Sequence, residues 1–277
     1  MRISKIKYLV ACCGAMVLLA GACQKKVMVT STPDSQISFY NVSEYIQIQT
    51  LNTSGQSFLF IDAKDTTHSG VTVPVSNTPS FGSGEYQFPN YFYYTRQTLP
   101  WISYMRVHPG EHSITLTDTG GHHPLITSAV TTVPGSPVSV YYADSLGHFR
   151  SWVLTDTVTE SAGAVRLRVI DLSPDVGNVF FTIGGQPAAG FPDHQQYGQI
   201  SPFVAWPNPV ADTLQIRFYN TRDSVDVVAS GSLSVTPGHA YNVVLTGYTN
   251  SQAFPDPVTG RYLNFNPDLK VLLTQNN

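Results

Sequence analysis

Four histidines crowd residues 108–123. His108 and His112 flank the turn pair Pro109-Gly110, and His122-His123 follow Gly120-Gly121. Neutral imidazoles ligate metals and carry protons near neutral pH. The run Ser113 to Thr117 between the two turns has strand character, and about seven extended residues span over ~20 Å. All four rings therefore cannot meet around one ion. His108 and His112 can, and with a nearby carboxylate they would make a metal-dependent hydrolase. Polar turn residues are the simpler reading. The acids add little: the glutamates are Glu44, Glu85, Glu111 and Glu160, and Asp62/Asp65 and Asp223/Asp226 sit beside turns or on alternating strand faces. None forms the opposed carboxyl pair of a glycoside hydrolase. The sequence contains no Gly-x-Ser-x-Gly elbow, His-Glu-x-x-His or phosphate-cradling glycine loop. No catalytic residue and no cofactor is expected.

Aromatic side chains form a second kind of candidate. Tyr86, Phe88, Tyr91, Phe92, Tyr93, Tyr94, Trp101 and Tyr104 fall in one stretch. Neighbours on a strand face opposite ways, so Tyr91-Phe92-Tyr93-Tyr94 cannot all enter one core. Planar rings with phenol hydroxyls suit sugar rings or a protein surface. Tyr91, Tyr93, Tyr94, Trp101 and Tyr104 are the candidate ligand-binding residues. The competing reading is a strand buried on both faces.

A third reactive group is the Cys23 thiol. It ends a leader with Arg2, Lys5 and Lys7, an apolar run from Tyr8 to Ala20, and Ala20-Gly21-Ala22 before the cysteine. A cationic start, a greasy middle and small residues describe an export signal. The run of about thirteen residues is shorter than the about twenty that cross a bilayer. The segment resembles a bacterial lipoprotein signal peptide. That resemblance implies removal of residues 1–22, a diacylated Cys23 (palmitate or a similar acyl chain) and an envelope location, expected at the outer membrane. An ordinary cleaved signal and an uncleaved anchor are the alternatives. Gln24-Lys25-Lys26 lacks the acidic residues that mark surface export in some such lipoproteins, which speaks against surface display and leaves the face open. Residues 23–35 then read as a tether.

Composition bounds the rest. The chain has 277 residues, 12% of them charged, and a net charge of −3. No basic patch is present to neutralise a nucleic-acid backbone, so that partner is not expected. The three cysteines (Cys12, Cys13 and Cys23) lie in or at the end of the leader. With Cys23 acylated, the exported body has no thiol for a disulfide or a thiolate zinc site.

After Ser35 the sequence reads as strands. Ile37-Ser38-Phe39-Tyr40, Ile46-Gln47-Ile48-Gln49, Phe58 to Ile61, Ser113 to Thr117, Val138 to Tyr142, Val165 to Val169, Val179 to Ile183, Leu214 to Phe218 and Tyr241 to Leu245 alternate or are β-branched and aromatic. Turn pairs such as Pro134-Gly135, Gly184-Gly185 and Pro237-Gly238 separate them. Short strands at this spacing predict antiparallel sandwiches, each sheet with one buried and one wet face. An internal repeat predicts two domains. Ile37–Ser43 matches Leu167–Ser173, Thr132–Val140 matches Val235–Val243, and Trp152–Thr155 matches Val271–Thr274. The expected boundaries are 36–157, a linker at 158–162, and 163–277.

The second half carries Arg166-Leu-Arg-Val-Ile-Asp171-Leu-Ser173-Pro174-Asp175, then Val179-Phe-Phe-Thr-Ile-Gly184-Gly185, then Pro237-Gly238-His-Ala-Tyr241-Asn-Val-Val. This pattern resembles the domain-of-unknown-function family numbered 4397. The resemblance implies tandem Ig-like or transthyretin-like β-sandwich units on exported lipoproteins, with no agreed activity. The first half departs from it at Glu44, which stands where Pro174 would fall. The expected function is a non-catalytic adhesion, scaffold or binding lipoprotein. Its partners are the membrane, through the lipid, and an envelope protein or a glycan. A carbohydrate-binding lipoprotein using the aromatic stretch is the second reading.

Overall fold

Strand alternation places every second side chain on the same face of a sheet, and in this protein both faces of the two inner sheets are used. The computed structural model describes residues 34–63, 84–89, 104–120, 123–158, 163–207, 213–220 and 223–276. Its first half contains β1 (Ser35–Asn41), helix α1 (Glu44–Thr53), β2 (Phe58–Ile61), β3 (Gly84–Gln87), β4 (Met105–Val107), β5 (Gly110–Thr117), β6 (Pro124–Thr132), β7 (Val138–Ser145) and β8 (His148–Thr155). The second contains β9 (Ala164–Asp171), β10 (Val179–Ile183), β11 (Gln186–Pro187), β12 (Val204–Pro207), β13 (Thr213–Asn220), β14 (Asp223–Ser234), β15 (Ala240–Thr246), β16 (Gln252–Pro255), β17 (Tyr262–Phe265) and β18 (Lys270–Asn276).

Each half is a sandwich of two four-stranded sheets. Their orders are β3-β2-β5-β6 with β4-β1-β7-β8, and β11-β10-β13-β14 with β12-β9-β15-β18. The all-β sandwich class is as expected. The inner sheets are mixed, because β1 pairs parallel with β7 and β9 parallel with β15. Ile37, Phe39, Val138, Val140 and Tyr142 face the first core, with Leu59, Ile61, Ile114 and Leu116 opposite. Val165, Leu167, Val169, Val243 and Leu245 face the second, with Phe181, Ile183, Ile216 and Phe218 opposite.

The alternate residues of the inner sheets are buried too. Tyr40, Val42, Tyr141, Ala143 and Leu154 pack against Ile170, Leu172 and Val244 in a third core. The expected wet faces are therefore covered over the central strands of these sheets, exposure remaining on edge strands such as β8, and the sheets stack four deep. This is why β7 and β15 show buried residues at nearly every position. Tyr40 and Tyr141 stack in this middle layer with centroids 4.7 Å apart.

The repeat is real in three dimensions, with one correction. Ile37 opposes Val138 as Leu167 opposes Tyr241, which agrees with the sequence match. Tyr141 opposes Trp152, whereas its counterpart Val244 opposes Leu272. Trp152 thus corresponds to Leu272, one residue beyond the sequence pairing with Val271. A slip of one moves a strand's side chains to the other face. The sequence match had no means of sensing which face the middle layer takes.

Two insertions distinguish the halves. Residues 46–49, expected as strand, lie in α1. Ser43 caps it, accepting from the Ile46 amide at 3.2 Å while its hydroxyl donates to Asp144 Oδ1 at 2.6 Å. Ser54 closes the helix in the left-handed region at φ 54°. Cap chemistry outweighs the alternating Ile46 and Ile48. In the second half the β16–β17 hairpin replaces the tight Leu146-Gly147 turn that joins β7 to β8. It reaches across, so Tyr248, Phe254, Leu263 and Phe265 belong to the first core. Gly147 (φ 79°) must be glycine, because a Cβ there would sit 2.6 Å from the Phe254 ring. The Tyr45 hydroxyl of α1 donates to Asp256 Oδ1, at the base of the hairpin turn, at 2.7 Å.

The middle layer predicts that Val244→Asp unfolds the protein. An unpaired charge between two apolar sheets costs about 4 kcal/mol or more, whereas a residue on a wet sheet face would tolerate the change. Urea unfolding of the purified protein checks this.

Candidate functional site

Of the candidate ligand-binding aromatics, Tyr104 lies within the described residues and Tyr91, Tyr93, Tyr94 and Trp101 lie outside them, as does Cys23; Tyr86 and Phe88 of the same stretch are buried in the first core. Tyr104 immediately precedes β4. Its hydroxyl donates to Asp156 Oδ2 at 2.9 Å. Burial and then the Asp156 charge push this phenol well above its ordinary range. A hydroxyl so engaged is structural, and it leads into a polar cluster in the middle layer.

Asp156 follows β8 and is fully buried. Arg168 on β9 reaches it from the other half, Nη2 to Oδ1 at 2.6 Å. The guanidinium makes two further bonds: Nη1 donates to the Thr155 carbonyl at 2.9 Å and Nε to Asn242 Oδ1 at 2.8 Å. Its plane lies 4.3 Å over the Phe203 ring. Ser139 donates to Asp156 Oδ2. Asn242 Nδ2 donates to Tyr141 Oη at 2.8 Å and to Asn276 Oδ1 at 3.0 Å. Tyr141 Oη lies 3.1 Å from Thr274 Oγ1. Burial raises the Asp156 carboxyl above the usual range, opposed by its donors Ser139, Arg168 and Tyr104. The cluster joins β7, β8, β9, β15 and β18 and presents no free nucleophile.

The histidines are also engaged. His112 is buried, with Nδ1 2.7 Å from Asp62 Oδ2 and Nε2 2.7 Å from the His108 carbonyl oxygen. Both ring nitrogens of His112 are thus engaged, Nε2 by the His108 backbone. His123 Nδ1 lies 3.0 Å from Asp118 Oδ2. Among the described residues no group of three His, Cys, Asp or Glu side chains is placed to hold a metal ion.

Sequence reasoning missed the Asp156–Arg168 pair. Arg168 alternates with Leu167 and Val169, the pattern of a solvated strand face, and nothing local announces a second sheet above it. A retrospective signal exists: Ser139, Asn242 and Thr274 sit at the same alternate positions of strands otherwise apolar. The outer face of the second sandwich also carries a pair not singled out. Phe180 on β10 and Tyr219 on β13 stack across the strands at 5.0 Å. Val227 of β14, opposite Tyr219, is 45% exposed.

Residues 97–182 match the family model described as Domain of unknown function (DUF4397). The DUF4397 match takes in β4 to β9 and most of β10, so it crosses from one repeat into the next and includes both Asp156 and Arg168. No curated protein matches the chain. Among solved structures the chain is similar to one titled "Alpha-glucan recognition by family 41 carbohydrate-binding modules from streptococcal virulence factors", at 12% identity and a TM-score of 0.25, covering 87% of this chain and 96% of that one. A second, titled "Alpha-glucan binding by a streptococcal virulence factor", gives 12% identity and a TM-score of 0.24 over 76% and 92%. A third, a product complex of the pneumococcal glycogen-degrading virulence factor SpuA, gives 12% identity and a TM-score of 0.23 over 87% of this chain and 27% of that one. At these TM-scores the likeness says nothing about what this chain binds.

The buried pair yields a thermodynamic cycle. Arg168→Met leaves Asp156 unpaired and should cost about 3–5 kcal/mol, whereas Arg168→Met with Asp156→Leu should recover most of that loss. Urea unfolding of the two single variants and the double variant measures the coupling.

Proposed function

We propose that this protein is a non-catalytic binding or scaffold lipoprotein of a bacterial envelope, held at the membrane through Cys23. The observation that carries the reading is the leader ending Ala20-Gly21-Ala22-Cys23, followed by a polar tether and a rigid four-layer body. A lipid on a short tether fixes a protein to a surface without fixing its orientation. The stacked sheets supply a stiff spacer whose loops and outer faces meet a partner. Among the described residues, His112 is engaged by Asp62 and the His108 backbone, Tyr104 by Asp156, and Asp156 by Arg168. The outer membrane is the proposed site, with a protein of the envelope as the proposed partner. Glycan binding is a second outcome, read by titrating the purified protein with envelope glycans alongside the experiment below.

Cells expressing the full chain are fed an alkyne fatty acid, fractionated, and treated with a crosslinker. The acyl label should appear on the protein in the outer-membrane fraction and vanish in Cys23→Ala, and crosslinking should trap one defined envelope protein. An unlabelled mature protein would overturn the anchor. Saturable glycan binding without a protein adduct would replace the scaffold reading with the carbohydrate one.

A further inference from the structure

Asn41 and Asp171 hold the same place in the two repeats, at the end of the strand that opens each inner sheet. Each caps the following turn through Oδ1, accepting from the Ser43 amide at 3.0 Å and from the Ser173 amide at 3.0 Å. Their second polar atoms differ. Asn41 Nδ2 donates to the Pro89 carbonyl at 2.9 Å. Asp171 Oδ2 is buried with no hydrogen-bond partner. An ionised carboxylate is acceptor-only and loses its hydration there without replacement, whereas a neutral carboxyl loses much less.

What lies over Asp171 makes the difference consequential. The Gly198 amide donates to the Asp171 carbonyl at 2.7 Å, and the Asp171 amide donates to the Gln199 carbonyl at 3.1 Å. Residues 197–199 also reach the first half. Trp152 Nε1 donates to the Gly198 carbonyl at 3.2 Å, and the Trp152 ring meets Tyr197 edge-on at 5.6 Å. Gly198 has φ 81°, and a Cβ there would lie 3.3 Å from the indole. The titratable group facing Asp171 is Tyr197, whose hydroxyl is likewise buried without a partner. Around Tyr197 stand Asp144, Tyr248 and Arg150, the last 5.9 Å from its ring centroid.

We propose that Asp171 is a proton-operated latch: neutral, it seats residues 197–199 on β9 and on Trp152 of the other half, and ionised, it loosens that seat. Burial pushes the carboxyl up to about 7, opposed by the Ser173 amide. The native state therefore holds a proton that the unfolded state, with its aspartate near ~3.9, has lost. Stability contributed here is full below about pH 4, falls as pH rises toward 7, and levels off above that.

Unfolding of the full exported body and of Asp171→Asn is compared from pH 4 to 9. The variant reproduces the amide found at Asn41. Its advantage should be smallest at pH 4, grow by about tenfold in the folding constant per pH unit toward neutrality, and stay flat above. A difference that does not change with pH overturns the proposal. NMR of the wild type supplies the second readout and stands even if the variant fails to fold. The Asp171 carboxyl carbon should titrate near neutral pH, and the Trp152 indole N–H signal should move with the same midpoint. A carboxyl midpoint below about pH 5, or a Trp152 signal unmoved while the carboxyl titrates, overturns it.

Discussion

A guanidinium and a carboxylate sealed between two β-sheets set the terms for this molecule. Arg168 comes from one repeat and Asp156 from the other, and neither can be bare in an apolar layer without a penalty of several kcal/mol. The cluster around them is fully connected through Asn242, Asn276, Tyr141, Ser139 and Tyr104. Against a well-packed apolar alternative such a pair adds little stability, but it does fix geometry. Apolar contacts among Tyr40, Val42, Ile170 and Val244 are non-directional and would accept a sheet sliding by a residue. The polar cluster accepts one registration, and the stacked sheets inherit it.

The rest of the architecture reinforces that registration. The β16–β17 hairpin of the second repeat enters the first core beside Tyr45 and Phe149, and Lys270 at the start of β18 pairs with Glu44 of α1 at 3.2 Å. The two repeats are thus joined by an apolar layer, a polar cluster and a swapped-over hairpin, and Pro33–Asn277 form one compact unit. A DUF4397 match that straddles both repeats fits such a body, since its residues 97–182 take in Asp156 of one repeat and Arg168 of the other.

Much of this was legible in the chain, and the failures have physical reasons. Ile114 and Leu116 alternate with polar neighbours, and both are fully buried. Pro134-Gly135 and Pro237-Gly238 signalled turns, and both glycines take positive φ. The repeat emerged from Ile37–Ser43 and Leu167–Ser173 because strand and Asx-turn chemistry recur there. Alternation fails as a guide to solvent when both faces of a sheet are covered: Arg168 alternates with Leu167 and Val169 and is buried. Ile46 and Ile48 mimicked a strand because a period of two fits four residues as well as a helix does, and the Ser43 cap decided otherwise. The Trp152 slip is the same problem, since apolar residues on both faces leave the register unmarked. Of the five candidate ligand-binding aromatics, Tyr104 alone falls in the described part, and its hydroxyl is spent inside the protein.

Native-state hydrogen exchange is the most direct measurement of the welded architecture. Amides of β1 and β7 in one repeat and of β9 and β15 in the other should open with the same, global free energy, because separating the inner sheets strips Arg168 from Asp156. Two distinct opening energies, one for each repeat, would show sandwiches that unfold independently and would contradict the account.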